Sequence, residues 1–91
     1  MDVGSGLGVF PWQMKLEGWN VTSIESDPSS ANFIENVLKI PTLNSDISQI
    51  YIDNKFDLIT FNKVLEHIAD PVNTLKSIKK FSHKNTLIYI E

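Results

Sequence analysis

The hydrophobic pattern of the chain switches repeatedly between the period of a strand and the period of a helix. Residues 56–61 form a short run rich in aromatic and β-branched side chains, which is typical of a strand. Residues 20–25 alternate in the same way and predict a second strand. Two apolar stripes repeat at helical spacing, one made of Phe33, Ile34, Val37 and Leu38 and the other of Val72, Leu75 and Ile78.

Proline and glycine mark where the predicted helices begin and end. Asp27-Pro28 and Asp70-Pro71 each combine an N-cap residue with a proline suited to the first helical position. Pro11 favours a helix start as well, and Gly18 favours a helix end. The predicted strands are residues 2–3, 20–25, 41–44, 56–61 and 86–90, the predicted helices are 11–17, 28–38 and 72–81, and one helical turn is expected within 45–55.

Strands and helices therefore alternate along the chain, which predicts an α/β fold. We expect a Rossmann-like, doubly wound, mostly parallel sheet of about five strands with helices on its faces and right-handed crossovers. A length of 91 residues predicts a single domain spanning residues 1–91. In open sheets of this kind, ligands bind beyond the carboxyl ends of the strands, where the strand order reverses.

Composition and charge narrow the classes of function. The chain carries a net charge of −3, eight lysines and no arginine, so a nucleic-acid-binding surface built on guanidinium groups is not expected. There is no cysteine for a disulfide or thiolate metal site. No apolar stretch approaches the roughly 18 residues that a membrane span needs, and no signal peptide is visible. Cytoplasmic localisation is the expectation.

The first residues carry the most informative motif. Asp2 precedes three glycines at every second position, Gly4, Gly6 and Gly8, and such a loop lets the backbone bend through positive φ and approach a ligand. A dinucleotide fingerprint would place its third glycine at Val9, and a phosphate ligand would be repelled by Asp2. The motif therefore favours a ligand with a cationic group over a diphosphate.

Three further residues fall where the fold predicts a binding site. Glu25 ends the second strand, where a carboxylate can accept two hydrogen bonds from a ribose diol. Asp46 follows the third strand and could accept from an exocyclic amine, while Ile47 could pack on a purine face. Two alternative roles stay open: Glu25 could be a solvated acid at a strand end, and Asp46 could be an ordinary loop acid. Asp27 is assigned to helix capping because Pro28 follows it.

Four ordered segments together resemble the class I S-adenosylmethionine-dependent methyltransferases. Residues 2–8, Asp-Val-Gly-Ser-Gly-Leu-Gly, are similar to the first motif of the family, residues 24–28 to its second motif, and residues 45–47 to its adenine-contacting segment. Residues 56–71 contain Leu-Glu-His followed by Asp-Pro, which is typical of the branch that methylates small molecules. The resemblance covers nearly the whole chain.

The resemblance implies S-adenosylmethionine as the cofactor and a small-molecule methyl acceptor. It places Glu25 at the ribose, Asp46 and Ile47 at the adenine, and Asn62 and Lys63 at the methionine and sulfonium side. The residues that it implies around the methionine part of the cofactor are Asp2, Gly4, Ser5, Gly6 and Gly8. His67 is the candidate general base, although packing and hydrogen bonding are the more frequent roles of this histidine in the family. Neither Glu66 nor His67 has partners at metal-ligand spacing, so no metal is expected.

The chain also departs from the family. The family's domain is longer and has a seven-stranded sheet, so the chain is expected to be a fragment that carries the cofactor half-site. Two alternatives stay open from the residues: an NAD-dependent oxidoreductase domain, and a non-catalytic Rossmann-like module that only binds a partner. The aromatic residues expected in the core rather than at a substrate platform are Trp12, Trp19, Phe33 and Phe81, and His83 is expected on the solvated surface.

Overall fold

The computed structural model describes all residues 1–91 and has the predicted α/β architecture. The strands are β1 (Asp2–Val3), β2 (Ser23–Ile24), β3 (Thr42–Leu43), β4 (Phe56–Phe61) and β5 (Ser82–Ile90). The helices are α1 (Val9–Leu16), α2 (Pro28–Asn36) and α3 (Pro71–Ser77), and 3-10 turns cover Ile47–Gln49, Leu65–His67 and Ile78–Phe81.

The five strands form one parallel sheet in the order β3-β2-β1-β4-β5. The chain moves outward from β1 through β2 to β3, and then returns to the other side of β1 for β4. The strand order therefore reverses between β1 and β4, which is where an open α/β sheet offers a binding crevice. The glycine loop follows β1 directly and lies at this switch point.

The helix caps form as the sequence predicts. Asp27 accepts a hydrogen bond from the Ser30 N–H at 2.8 Å, and Asp70 accepts one from the Asn73 N–H at 3.1 Å. Each carboxylate satisfies one of the amide groups that the first helical turn leaves without a partner. Gly18, two residues after the last residue of α1, adopts φ +96°, as expected of a glycine that ends a helix.

One hydrophobic cluster joins the sheet to the segments that precede and follow β4. Its members are Met1, Val3, Ile24, Ile47, Ile50, Ile59, Phe61, Ile78 and Phe81. Phe61 and Phe81 are both fully buried, so the end of β4 is packed tightly into the core. The position of this strand end matters for the candidate binding site, because Asn62 and Lys63 follow it directly.

The structure corrects several details of the sequence-based predictions. Trp12, Trp19 and Phe33 are 38%, 47% and 41% exposed, so Phe81 alone of the four aromatic residues lies in the core. The predicted apolar stripe of α2 is also not fully buried, since Val37 is 62% exposed. Helical spacing places such residues on one face but does not show how far the neighbouring layer extends over that face.

Strand β5 begins at Ser82, four residues before its predicted start, and contains an irregular stretch. The His83 N–H donates to Thr86 Oγ1, and the Thr86 hydroxyl donates to the Phe56 carbonyl at 2.7 Å. His83 also bonds Asp57 through Nε2 at 2.7 Å. His83 is exposed, as predicted, and its ring in addition bridges the starts of β4 and β5.

Candidate functional site

The glycine loop is shaped by close packing as well as by its backbone angles. Gly4 has φ +73°, and a Cβ built on it would overlap the side chain of Val64. Gly8 has φ +83°, and a Cβ there would lie 2.6 Å from Leu38 Cδ1 and 2.9 Å from Ile34 Cγ1. Only glycine fits at either position, because a larger residue would be both strained and blocked.

Asp2 is turned inward, beneath the loop. It is 4% exposed, its Oδ2 accepts from the Ser5 hydroxyl at 2.7 Å, and its Oδ1 accepts from the Thr60 hydroxyl at 2.6 Å. Burial raises the pKa of Asp2, while the two hydroxyl donors oppose that shift. The predicted direct contact with a cationic ligand has no support in this geometry. Asp2 instead ties the loop, through Ser5, to β4.

Glu25 lies at the carboxyl end of β2 and is 8% exposed. Its Oε1 accepts from the Gly6 N–H at 2.6 Å, and its Oε2 accepts from the Asp27 N–H at 2.7 Å. Each carboxylate oxygen can accept a further hydrogen bond. The side chain is therefore held rigidly beside the glycine loop and still has capacity for a diol.

Asn44 was missed by sequence reasoning, although it fixes the turn after β2. Its Nδ2 donates to the carbonyl of Glu25 at 2.9 Å and to the carbonyl of Ser26 at 3.0 Å. An asparagine directly after the short β3 was a possible signal, because this side chain often bonds to nearby backbone. Its partners lie 18 and 19 residues earlier in the chain, however, and that pairing depends on the sheet.

Asp46 and Ile47 follow β3 in a 3-10 turn. Asp46 is exposed, and its Oδ1 accepts from the Ser48 N–H at 2.9 Å and from the Ser48 hydroxyl at 2.6 Å. These bonds lower the pKa of Asp46. Ile47 is 3% exposed and belongs to the main hydrophobic cluster, but it also lines the groove described below. Asp46 keeps Oδ2 for another partner.

Asn62 and Lys63 directly follow β4, and Lys63 has a left-handed backbone conformation. Lys63 is exposed and adopts φ +57°, and its N–H donates to the Glu91 carbonyl at 2.7 Å. The Oδ1 atom of Asn62 is buried without a hydrogen-bond partner. A buried carbonyl oxygen with no donor costs about 1–3 kcal/mol, so a ligand that supplied a donor there would relieve a cost already present.

A narrow groove joins these pieces at the carboxyl ends of β1 to β4. It has a volume of about 90 Å³ and is lined by Val3, Gly4, Ile24, Ser26, Ser45, Asp46, Ile47, Val64 and Ile68. The structure thus brings Gly4, Asp46 and Ile47 to one groove, with Glu25 hydrogen-bonded to the loop at its side. Val64 and Ile68 were not predicted as site residues, because an apolar residue in a loop carries no chemical signal by itself.

His67 stands apart from this groove. Its side chain is 77% exposed, and its Nε2 lies 3.9 Å from Glu66 Oε1. It does not line the groove, and its role as a general base stays a prediction. The structure brings together no group of three or more His, Asp or Glu side chains that could hold a metal ion, and no helix has the length and apolar composition needed to cross a bilayer.

Comparisons of the chain with family models and with known proteins point to the same family. A family model described as a methyltransferase domain matches residues 1–91, the whole chain. A relative named ubiquinone biosynthesis O-methyltransferase, from Rickettsia bellii, is 31% identical over 88 residues, which cover 87% of this chain and 37% of the relative. The chain therefore spans little more than a third of the length of that protein.

Solved structures agree on the fold. The glycopeptide N-methyltransferase MtfA, determined with S-adenosyl-L-homocysteine, matches with a TM-score of 0.87 at 16% identity, over 98% of this chain and 43% of that protein. A protein from Pyrococcus horikoshii OT3 matches with a TM-score of 0.86 at 14% identity, over 98% of this chain and 46% of that protein. At such low identity the likeness establishes the Rossmann-like fold and nothing finer.

Proposed function

The chain belongs to the class I S-adenosylmethionine-dependent methyltransferase family, and from that premise we propose that it binds S-adenosylmethionine in the groove at the carboxyl ends of β1 to β4. We further propose that the bound cofactor serves methyl transfer to a small-molecule acceptor. The chain covers 37% of the length of the relative from Rickettsia bellii, so the activity and the acceptor both belong to this proposal.

The observation that carries the proposal is the contact between Glu25 and the glycine loop. A carboxylate that ends β2 holds the Gly6 N–H at 2.6 Å, right at the switch point of the sheet. That arrangement sets a diol acceptor beside a loop whose backbone a ligand can approach closely. The carboxylate keeps acceptor capacity beyond its bonds to the Gly6 and Asp27 N–H groups.

The remaining residues fit the parts of the cofactor. Glu25 would hold the ribose hydroxyls, Asp46 Oδ2 would accept from the adenine amine, and Ile47 would pack against the ring. The unpartnered Asn62 Oδ1 supports a place for the methionine ammonium, with Lys63 beside it. The loop of Gly4, Ser5, Gly6 and Gly8 would follow the methionine part, and Asp2 would hold that loop in place from below.

When bound, the cofactor supplies a methyl group activated by a sulfonium. The protein's task is then to fix the position of the acceptor and to exclude water, and such orientation supplies much of the rate. The relative from Rickettsia bellii is named as an O-methyltransferase of ubiquinone biosynthesis, so a hydroxyl acceptor is our first choice here. We assign no general base, since His67 lies on the surface. Cytoplasmic localisation remains a prediction.

Calorimetric titration of the full chain with S-adenosylhomocysteine tests the proposal. We expect saturable binding that Glu25→Gln weakens at least tenfold, which corresponds to about 1.4 kcal/mol. Glu35→Ala is the matched control, because Glu35 is an exposed acid on α2 that does not line the groove. Cooperative thermal unfolding of each variant shows that the comparison is between folded proteins.

Two results would contradict this assignment. Equal affinity of the wild type and Glu25→Gln would remove Glu25 from the site. Absence of S-adenosylhomocysteine binding by the folded wild type would reject the cofactor itself, and tighter binding of NADH would favour the oxidoreductase alternative. Cofactor binding without methyl transfer to any hydroxylated acceptor would instead favour the non-catalytic module.

A further inference from the structure

Val64 occupies the space that the missing side chain of Gly4 leaves free. The three atoms nearest to a Cβ built on Gly4 all belong to Val64. Val64 is half-buried, lines the groove, and also packs against the main hydrophobic cluster. The side chain that follows β4 is therefore inserted against the loop that follows β1, at the centre of the proposed binding site.

The groove is too small for the ligand that its chemistry fits. Its volume is about 90 Å³, whereas pockets that enclose a ligand of drug size measure roughly 300–1,000 Å³. The walls made by β1 and β2 belong to the sheet and are buried. Val64 and Ile68 are half-buried and belong to the loop after β4, so they are the apolar walls that can move at least cost.

The loop that carries Val64 is a short turn that follows β4 after only two residues. Residues 65–67 form a single 3-10 turn, closed by bonds from the His67 N–H to the Val64 carbonyl and from the Ile68 N–H to the Leu65 carbonyl. Just before Val64, Lys63 adopts φ +57°, a conformation that costs free energy in any residue but glycine. Lys63 lies just past the end of a strand, and hinges are found at such positions because residues there can absorb large changes of φ and ψ.

We infer that Val64 gates the cofactor groove: packed on Gly4 it closes the groove beside the glycine loop, and it must withdraw, with Lys63 as the hinge, before a ligand can bind. This inference rests on the proposed function and adds a residue to it. Because a closed state takes protein away from the binding-competent population, apparent affinity falls in proportion to the open fraction. Val64 thus sets both the size of the groove and the speed of binding.

Substitutions of Val64 test the gate through the association rate of S-adenosylhomocysteine, followed by stopped-flow tryptophan fluorescence. Val64→Ala shortens the obstructing side chain, and we expect about three- to tenfold faster association. Val64→Leu lengthens it, and we expect slower association. Leu75→Ala is the control, because Leu75 also packs on the main cluster but lies on α3, outside the groove. It should destabilise the fold without changing the rate.

A second lysine with positive φ provides a control for the test of the hinge. Lys39 has φ +58°, almost the same as Lys63, and follows α2 rather than β4. Lys63→Gly relieves the strain, and its association rate should differ from that of Lys63→Ala, which removes the same side chain from the proposed site but keeps the strain. Lys39→Gly should not differ from Lys39→Ala. A Gly-to-Ala difference of equal size at both positions would indicate general loosening of the fold and would contradict the gate.

A direct measurement of the Val64 position completes the test. In the free protein, nuclear Overhauser effects should connect the Val64 methyl groups to the Gly4 α-protons, and these should vanish when S-adenosylhomocysteine is bound. If the ligand binds while these effects persist, or if Val64→Ala does not speed association, then Val64 is a fixed wall and the gate is wrong. Lack of any ligand binding by the wild type would reject the proposed function, and the gate with it.

Discussion

Asp2 is the residue whose role changes most between sequence and structure. An acid before a glycine loop suggested an electrostatic partner for a cationic ligand, but both of its oxygens accept from hydroxyl groups of the protein. The reason is positional: Asp2 is paired with Thr60 across β1 and β4, in the centre of the sheet. A carboxylate at that position is shielded from solvent, so its charge is a cost that the two hydroxyl donors reduce.

The raised pKa of Asp2 predicts a specific dependence of stability on pH. The folded protein keeps the proton to higher pH than the unfolded chain, whose carboxyl has its ordinary value of 3.8. The stabilisation is therefore present below pH 3.8 and is lost as the pH rises through the folded pKa. Asp2→Asn removes this titration, so from pH 3.8 upward the wild type should lose unfolding free energy relative to the variant.

Urea unfolding at several values of pH measures this difference. The control is Asp53→Asn, because Asp53 is exposed and its substitution should leave the pH dependence of the wild type nearly unchanged. If the wild type instead gains stability relative to Asp2→Asn as the pH rises, then the hydroxyl donors outweigh burial, and the charged form of Asp2 is the one that the fold favours.

At the scale of elements, local signals were sufficient wherever they were strong. Strand β4 has the predicted bounds, Phe56–Phe61, and both Asp-Pro helix starts were found because a cap and a proline act within one turn. Strands β2 and β3 are only two residues long, shorter than their patterns predicted. The early start of β5 escaped prediction because it depends on the bond from Thr86 to Phe56, which lie 30 residues apart.

The cap of α3 gives a prediction at this scale. Asp70→Ala removes the acceptor of the Asn73 N–H, and we expect it to lower the free energy of unfolding by about 1 kcal/mol. Asp70→Asn keeps an oxygen in the same place and should cost much less. Thermal and urea unfolding of the two variants provide the comparison, and equal losses would show that the charge of Asp70, rather than its cap, stabilises the helix.

Across the whole molecule, the position of the candidate site residues in the fold was more predictable than the surface around them. The ends of β1, β2 and β4 bring Gly4, Glu25 and Asn62 to one edge because parallel strands share their carboxyl ends. The sequence could not show which apolar faces the fold leaves uncovered. One such face is a concavity of about 420 Å³, lined by Leu7, Gly8, Val9, Trp12, Phe33 and Leu38.

The second uncovered surface is β5, the edge of the sheet next to β4. Leu87, Ile88, Tyr89 and Ile90 are 69%, 48%, 44% and 51% exposed. Because neighbouring strand residues point to opposite faces, apolar surface is exposed on both faces of the edge strand. The outer side of β5 also offers backbone groups to another strand, and natural proteins usually protect such an edge with charges or a cover.

We therefore expect the chain to associate as its concentration rises, through β5. The individual fold is compact, with a Cα radius of gyration of 12.1 Å, close to the roughly 12 Å expected for this length, so association would join folded molecules. Size-exclusion chromatography with light scattering should show a mass that grows above 10.3 kDa.

Ile88→Lys places a charge on the edge and should restore the monomer, whereas Val72→Lys, at an exposed position on α3, should not. A monomeric wild type at all concentrations, or equal effects of both lysines, would mean that the edge of β5 does not drive association.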